Sequence, residues 1–153
     1  EYITYNYSSG NVDVHTKLTR NNKLRHDTII TSEKCIYDMM TIVYYARTLD
    51  YKQMKTGESK NSLLTSGKTK VNIKIKYNGT EKIDANDGKN YDCIVLTLII
   101  SDKAFEDKKE AMKIYITNDQ NRIPVRINSK LKVGSTYVLL KKIVGNKYPR
   151  KNN

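Results

Sequence analysis

Few residues in this chain are of types that carry chemistry, and none are spaced for a known reaction. Cys35 and Cys93 are the only cysteines and stand 58 positions apart. That spacing suits neither a zinc-ligand pair nor a redox CxxC. His15 and His26 are the only imidazoles. His15 shares the polar face of an alternating segment with Asp13, and His26 neighbours Asp27 near a turn. Both read as surface histidines. No HExxH, GxSxG or CxxC occurs, and no nucleophile has a base and an orienting group visible in the sequence. Gly67-Lys68-Thr69 imitates the end of a phosphate-binding loop. Ser62, however, stands where that motif needs its first glycine. An alternating strand pattern follows, where a helix N-terminus must meet the phosphate.

Two polar residues remain, Asp38 and Arg47, both inside an otherwise apolar stretch. Asp38 has Lys34 four residues earlier as an ion-pair partner. Arg47 can stack its stem on Tyr44 and bond helix-end carbonyls or a buried carboxylate. The first reading of both is helix anchoring, and ligand binding is the alternative. The residues thus point to no catalytic group, no cofactor and no metal, and the chain reads as non-enzymatic.

The elements that must position these residues are mostly strands. Glu1–Tyr7 places Ile3, Tyr5 and Tyr7 on one face, and Asn11–Thr19 alternates Val12, Val14, Thr16 and Leu18 with polar residues. That is the period of a half-buried strand. Leu24–Thr31 is a third strand after the Asn21-Asn22 turn. Glu33–Thr48 lacks Gly and Pro and follows the capping hydroxyls of Thr31-Ser32. Its apolar spacing predicts the one substantial helix, over about Glu33–Arg47, with Ile36, Met40, Val43 and Tyr44 buried. Ile42 and Tyr45 on the other side predict a helix covered on both faces. Lys70, Asn72, Lys74 and Lys76 alternate with Val71, Ile73, Ile75 and Tyr77. Asn78-Gly79 then reads as a hairpin turn, with Thr80–Ile83 returning. Tyr91–Ile100 is apolar on both faces and reads as a central strand. Met112–Thr117, Ile123–Leu131 and Ser135–Val144 complete the set. Ser101–Glu110 reads as a charged loop or single helical turn, and the basic tail 145–153 as frayed.

Composition sets the outer limits. The 153 residues suit a single domain. The 36 Leu, Ile, Val and Phe residues are enough for a modest core. Net charge is +12, and residues 51–153 hold the whole excess with 22 basic against 10 acidic groups. Lysine supplies 22 of the 28 cations. A nucleic-acid reader relies more on the planar fork of arginine, so nucleic acid is not the expected partner. A solvated lysine surface is the plainest reading, and an anionic envelope polysaccharide or lipid headgroup comes next. Lys70, Lys74 and Lys76 should form an exposed stripe that tests the difference. No apolar stretch reaches the ~18 residues of a membrane-spanning helix.

Cys35-Ile36-Tyr37-Asp38-Met39-Met40, followed by Tyr44-Tyr45-Ala46-Arg47, resembles the helix signature of DUF3108, a family of exported bacterial proteins. Ile116-Thr117-Asn118-Asp119-Gln120-Asn121-Arg122-Ile123-Pro124-Val125 resembles its strand–turn–strand with an acidic turn, and Gly134-Ser135 its closing glycine. The resemblance covers Cys35 to about Leu140, the C-terminal two-thirds. It implies a signal peptide, residence in the periplasm or cell envelope, and a curved antiparallel sheet around a helix. It implies no activity and no site residues. Family members carry further strands ahead of Glu1, and Tyr115 stands where they often have Trp. An exported setting favours a Cys35–Cys93 disulfide over two free thiols.

The expected fold is therefore mainly β, a curved antiparallel sheet (a partial barrel) wrapped around one helix. The expected function is binding of an envelope component, a lipid or an anionic glycan. The alternative is a structural module that meets a protein partner through a sheet edge, with a dimer or partner chain supplying missing strands.

Overall fold

Period-two alternation in the chain becomes two sheets, antiparallel throughout except for one short parallel pair at an edge of the larger. The structure, a computed structural model, describes residues 1–8, 10–101 and 109–148. Strands β1 (Tyr2–Ser8), β2 (Asn11–Arg20) and β3 (Lys23–Ser32) form a three-stranded meander. Asn21 and Asn22, both at positive φ, make its second turn. The larger sheet has the order β10-β9-β8-β7-β6-β5-β4. Its members are β4 (Ile36–Tyr37), β5 (Ser59–Ser66), β6 (Thr69–Asp84), β7 (Asn90–Ile100), β8 (Met112–Thr117), β9 (Pro124–Leu131) and β10 (Gly134–Leu139). All its pairs are antiparallel except β4 with β5. It curls into a half-barrel around helix α1 (Thr41–Ala46) and a 3₁₀ turn (Tyr51–Gln53).

The curl sorts side chains by face. Ile94, Leu96, Leu98 and Ile100 of β7 join Ile73, Ile75, Ile114 and Ile116 on the concave side, against Ile42, Val43, Ala46 and Tyr51. Tyr91, Cys93 and Val95 point to the convex side, where Ile83, Tyr115 and Val125 surround them and Leu140 and Ile143 pack over them. Strand β7 thus carries buried residues on both faces, as its apolar run, interrupted by Thr97, predicts. The small sheet lays Val12, Val14 and Ile30 against Ile36 and Leu63, and Thr16 Oγ1 donates to the Gly67 carbonyl at 2.8 Å. Among the described residues no helix is long and apolar enough to cross a membrane.

Three expectations need correction. The helix is six residues long, not about fifteen. Ile36 is buried, but in β4. Within α1 the buried stripe is Ile42, Val43 and Ala46, while Met40 and Tyr44 are 70% and 60% exposed. Counting Ile36 as helical set the wrong phase, because a strand residue does not contribute to a 3.6-residue period. Asn78-Gly79 is not a hairpin turn. Strand β6 runs through it for 16 residues, with the register against β7 shifting between Tyr77 and Thr80. Gly79, at φ 88°, supplies a bulge, for which an Asn-Gly pair is as well suited as for a turn. The chain reverses instead around Ala85–Lys89. Finally, β10 ends at Leu139, and the next residues cross onto the convex face. The stretch 102–108 and the last residues 149–153 lie outside the described residues. Of the tail, Tyr148 is tied by two hydrogen bonds to Asn121.

The core makes a direct prediction. Leu96→Ala and Ile75→Ala should each lower unfolding free energy by about 2–5 kcal/mol in urea titrations. Met40→Ala and Tyr44→Ala should cost less than about 1 kcal/mol. The reverse ranking would restore the longer helix with its other face inward.

Candidate functional site

Asp38 and Arg47 pin the two ends of α1. Asp38 Oδ1 accepts the Met40 and Thr41 amides at 2.7 and 2.9 Å, and Thr41 Oγ1 accepts the Asp38 amide at 2.8 Å. This reciprocal exchange does the work of a capping box. The Ile42 amide then bonds the Asp38 carbonyl at 3.0 Å. Asp38 Oδ2 accepts the Tyr5 phenol at 2.8 Å, which ties β1 to the start of the helix. Burial opposes ionisation of Asp38, but the donors outweigh it and hold the carboxyl below its ordinary 3.8. Burial and the bond to Asp38 together push Tyr5 up to about 12. Amides and a phenol therefore take the place of the Lys34 partner expected from the sequence.

Arg47 meets neither a carboxylate nor its own helix end. Its Nε and Nη2 donate to the Arg122 and Asn121 carbonyls at 2.6 and 2.9 Å. Its guanidinium lies 5.4 Å from the Tyr44 ring centre. Those carbonyls belong to the β8–β9 turn, which Asp119 organises. Asp119 Oδ1 accepts the Thr117 hydroxyl at 2.7 Å and the Asn121 and Arg122 amides at 2.9 and 3.1 Å. Here too burial opposes ionisation, and the hydrogen bonds prevail and lower the carboxyl below 3.8. Arg122, at φ 51°, turns its guanidinium over the Tyr51 ring at 5.1 Å. Sequence reasoning noticed the acidic turn but not its function as a socket for Arg47. The signal was Thr117-x-Asp119, a hydroxyl and a carboxylate both able to hold amides two or more residues on.

The expected lysine stripe is divided. Lys70 Nζ donates to the Thr31 carbonyl at 3.0 Å, reaching back to the small sheet. Lys74 is exposed. Lys76 lines a cleft of about 570 Å³ on the convex face, beside Asn78, Thr97 and Lys113 and opposite Glu81 and Glu110. Lys113 and Arg126 both lie over the Tyr115 ring, at 5.2 and 5.8 Å. Lys109 lines the cleft as well, so three lysines share it with two glutamates, and only Lys76 of the expected stripe takes part.

The remaining candidates separate as well. His15 pairs across the strands with Asp27, which also meets Lys17 Nζ at 3.1 Å. His26 is half-buried on the inner face of the small sheet, under Gly67, rather than at the surface. The expected disulfide is absent. Cys35 is free and exposed ahead of β4, whereas Cys93 is free and buried in the convex-side cluster. The side chain of Cys93 leaves β7 on the face away from α1, so no bridge can run beneath the helix. Among the described residues no group of three or more His, Cys, Asp and Glu could hold a metal.

What the geometry leaves open to a partner is an edge. β10 closes the large sheet on one side, and all six of its residues are exposed, Tyr137 at 64% and Val138 at 56%. Gly134–Leu139 contains no Pro and no charge, so neither of the usual protections of an edge strand is present there.

A half-barrel closed over a short helix, with polar contacts pinning both helix ends and an exposed edge strand, defines a β-sheet module. The chain belongs to the family described as "Protein of unknown function (DUF3108)", whose model matches residues 1–141. The match includes the first 34 residues, ahead of the region where the sequence resemblance begins. No curated protein and no solved structure matches the chain.

Two measurements follow. Thiol titration of the native protein should find Cys35 reacting at once. Cys93 should react only on unfolding, since burial pushes it up to about 12. A native protein without a reactive thiol would restore the bridge. The second concerns Asp38 and Asp119. Their folded values are depressed, so their contribution to stability is complete above the ordinary carboxylate value of 3.8 and lost as pH falls through the lower folded values. Asp119→Asn should lower the urea midpoint at pH 7 and flatten its decline below about pH 4. An unchanged acid profile would contradict the depressed carboxyl.

Proposed function

We propose that this chain is a non-enzymatic, exported envelope protein that works as an interaction module and meets its partner through the β10 edge. The open, uncharged edge strand carries this reading. Unpaired backbone N–H and C=O groups along such an edge bind another extended chain by strand addition. The filled interior argues in the same direction. Side chains of α1 and the sheet occupy the concave face, where an acyl chain would otherwise lie. Glu81 and Glu110 inside the convex cleft offset two of its three lysines, which weakens the anionic-glycan reading. Envelope residence rests on family resemblance.

The test is photo-crosslinking in the native host. A photoreactive residue at Tyr137 should give a protease-sensitive adduct in the envelope fraction, and one at Lys17, on the outer face of the small sheet, should not. Equal labelling at both positions, or a lipid or glycan adduct, would remove the edge as the interface. An adduct found only in cytosol would remove the export.

A further inference from the structure

The occupant of the β10 edge can be narrowed by charge. Basic groups flank the strand at both ends. Lys132 forms the β9–β10 turn with Val133, and Lys141 and Lys142 follow the strand, all three exposed. Alongside it, among the described residues, Glu110 is the one acid lining a shallow hollow with Lys113, Lys130, Ser135 and Tyr137. Between the flanks, Tyr137, Val138 and Leu139 make an apolar, two-sided half of the strand after Gly134, Ser135 and Thr136. The ladder with β9 places Tyr137 opposite Asn128 and Leu139 opposite Arg126, on the convex side. Val138 faces the other way, opposite Ile127.

A second copy of the chain fits this edge badly. An antiparallel β10–β10 pair in full register would set Gly134 of each copy against Leu139 of the other. The Lys132 turn of each copy would then lie at the end of its mate's strand from which Lys141 and Lys142 lead away, at both ends at once. Like charges opposed across strands are destabilising, and two chains of net charge +12 repel before they meet. The same lysines would attract a strand with acidic ends.

Resting on the edge reading above, we propose that β10 accepts an extended segment of another protein, with alternating apolar residues at its centre and acidic residues at both ends. Backbone hydrogen bonds to β10 hold the segment. Tyr137, Val138 and Leu139 give cross-strand contacts on either face, and Lys132, Lys141 and Lys142 set its position and select its charge.

The full 153-residue chain and three labelled peptides test this by fluorescence anisotropy. The first peptide has a Val-Thr alternating centre with two Asp or Glu residues at each end. The second carries Lys at the ends, and the third is the acidic peptide N-methylated at alternate residues. The acidic peptide should bind, and more weakly with added salt. The Lys-flanked and N-methylated peptides should not. Replacing Lys132, Lys141 and Lys142 together by Gln should weaken the acidic peptide about tenfold, given ~0.5 kcal/mol for each exposed pair. Replacing all three by Glu should reverse the preference. These are surface changes, and circular dichroism checks that the fold survives. Equal binding of acidic and basic peptides, unchanged binding after N-methylation, or no binding at about 1 mM overturns the proposal. So does a concentration-dependent dimer that Val138→Lys abolishes. Should the Tyr137 crosslink to a polypeptide form while the acidic peptide fails, the edge reading stands and only the identity of the occupant falls.

Discussion

Ile94, Leu96, Leu98 and Ile100 can leave water only if something covers the inner face of β7, and a helix of six residues cannot do that for a flat sheet. Curvature is therefore the condition on which the rest depends. The sheet has to close around α1 until strands from β5 to β9 reach the same small set of helix side chains. Two register shifts assist, one in β6 at Asn78-Gly79 and one between Tyr115 and Ile116 of β8. Each adds local twist where a regular ladder would run straight.

Curvature alone would leave the helix free to rotate, because its apolar stripe is short. Polar contacts at its two ends remove that freedom. The Asp38 cap fixes the start, and Arg47 plugs the carbonyls of the 117–122 turn. The two anchors reach opposite parts of the chain, since Asp38 also holds Tyr5 of the small sheet while Arg47 holds the β8–β9 turn. One short helix thus joins the small sheet, the concave core and the far hairpin. The cost of ordering Arg47 and Tyr5 is offset because their donors are partly buried and need partners there.

Much of this architecture was legible in the sequence, and the residues show where legibility ended. Period-two alternation is a local property, so β2, the first half of β6 and the double-faced β7 could be read directly. So could the Asn21-Asn22 turn. The helix could be recognised but not delimited. Nothing in Glu33–Met39 forbids a helix, and only pairing with Leu63 and Leu64 draws Ile36 and Tyr37 into a strand. Tertiary pairing overrode local propensity there. Asn78-Gly79 was ambiguous for a different reason, since positive φ serves a bulge and a turn alike. Asp38 and Arg47 stand out in the sequence as polar residues in an apolar stretch, yet Tyr5 and Arg122, which they bond, lie 33 and 75 positions away. No spacing rule reaches that far. The exposed β10 edge was invisible because sequence gives a strand its faces but not its neighbours.

The parallel link between β4 and β5 has a kinetic meaning. Only Ile36 and Tyr37 make it, and they can find β5 only after the chain between them has folded through α1 and the 3₁₀ turn. A two-residue pairing that closes so long a loop forms late and opens early. The first 37 residues are joined to the half-barrel by these two residues of ladder, by Leu63 against the Val12–Ile36 cluster and by hydrogen bonds from Tyr5, Thr16 and Lys70, with no continuous ladder. Tension applied from the amino-terminal side would open this seam before it reached the half-barrel, which makes the seam a mechanical fuse ahead of the half-barrel.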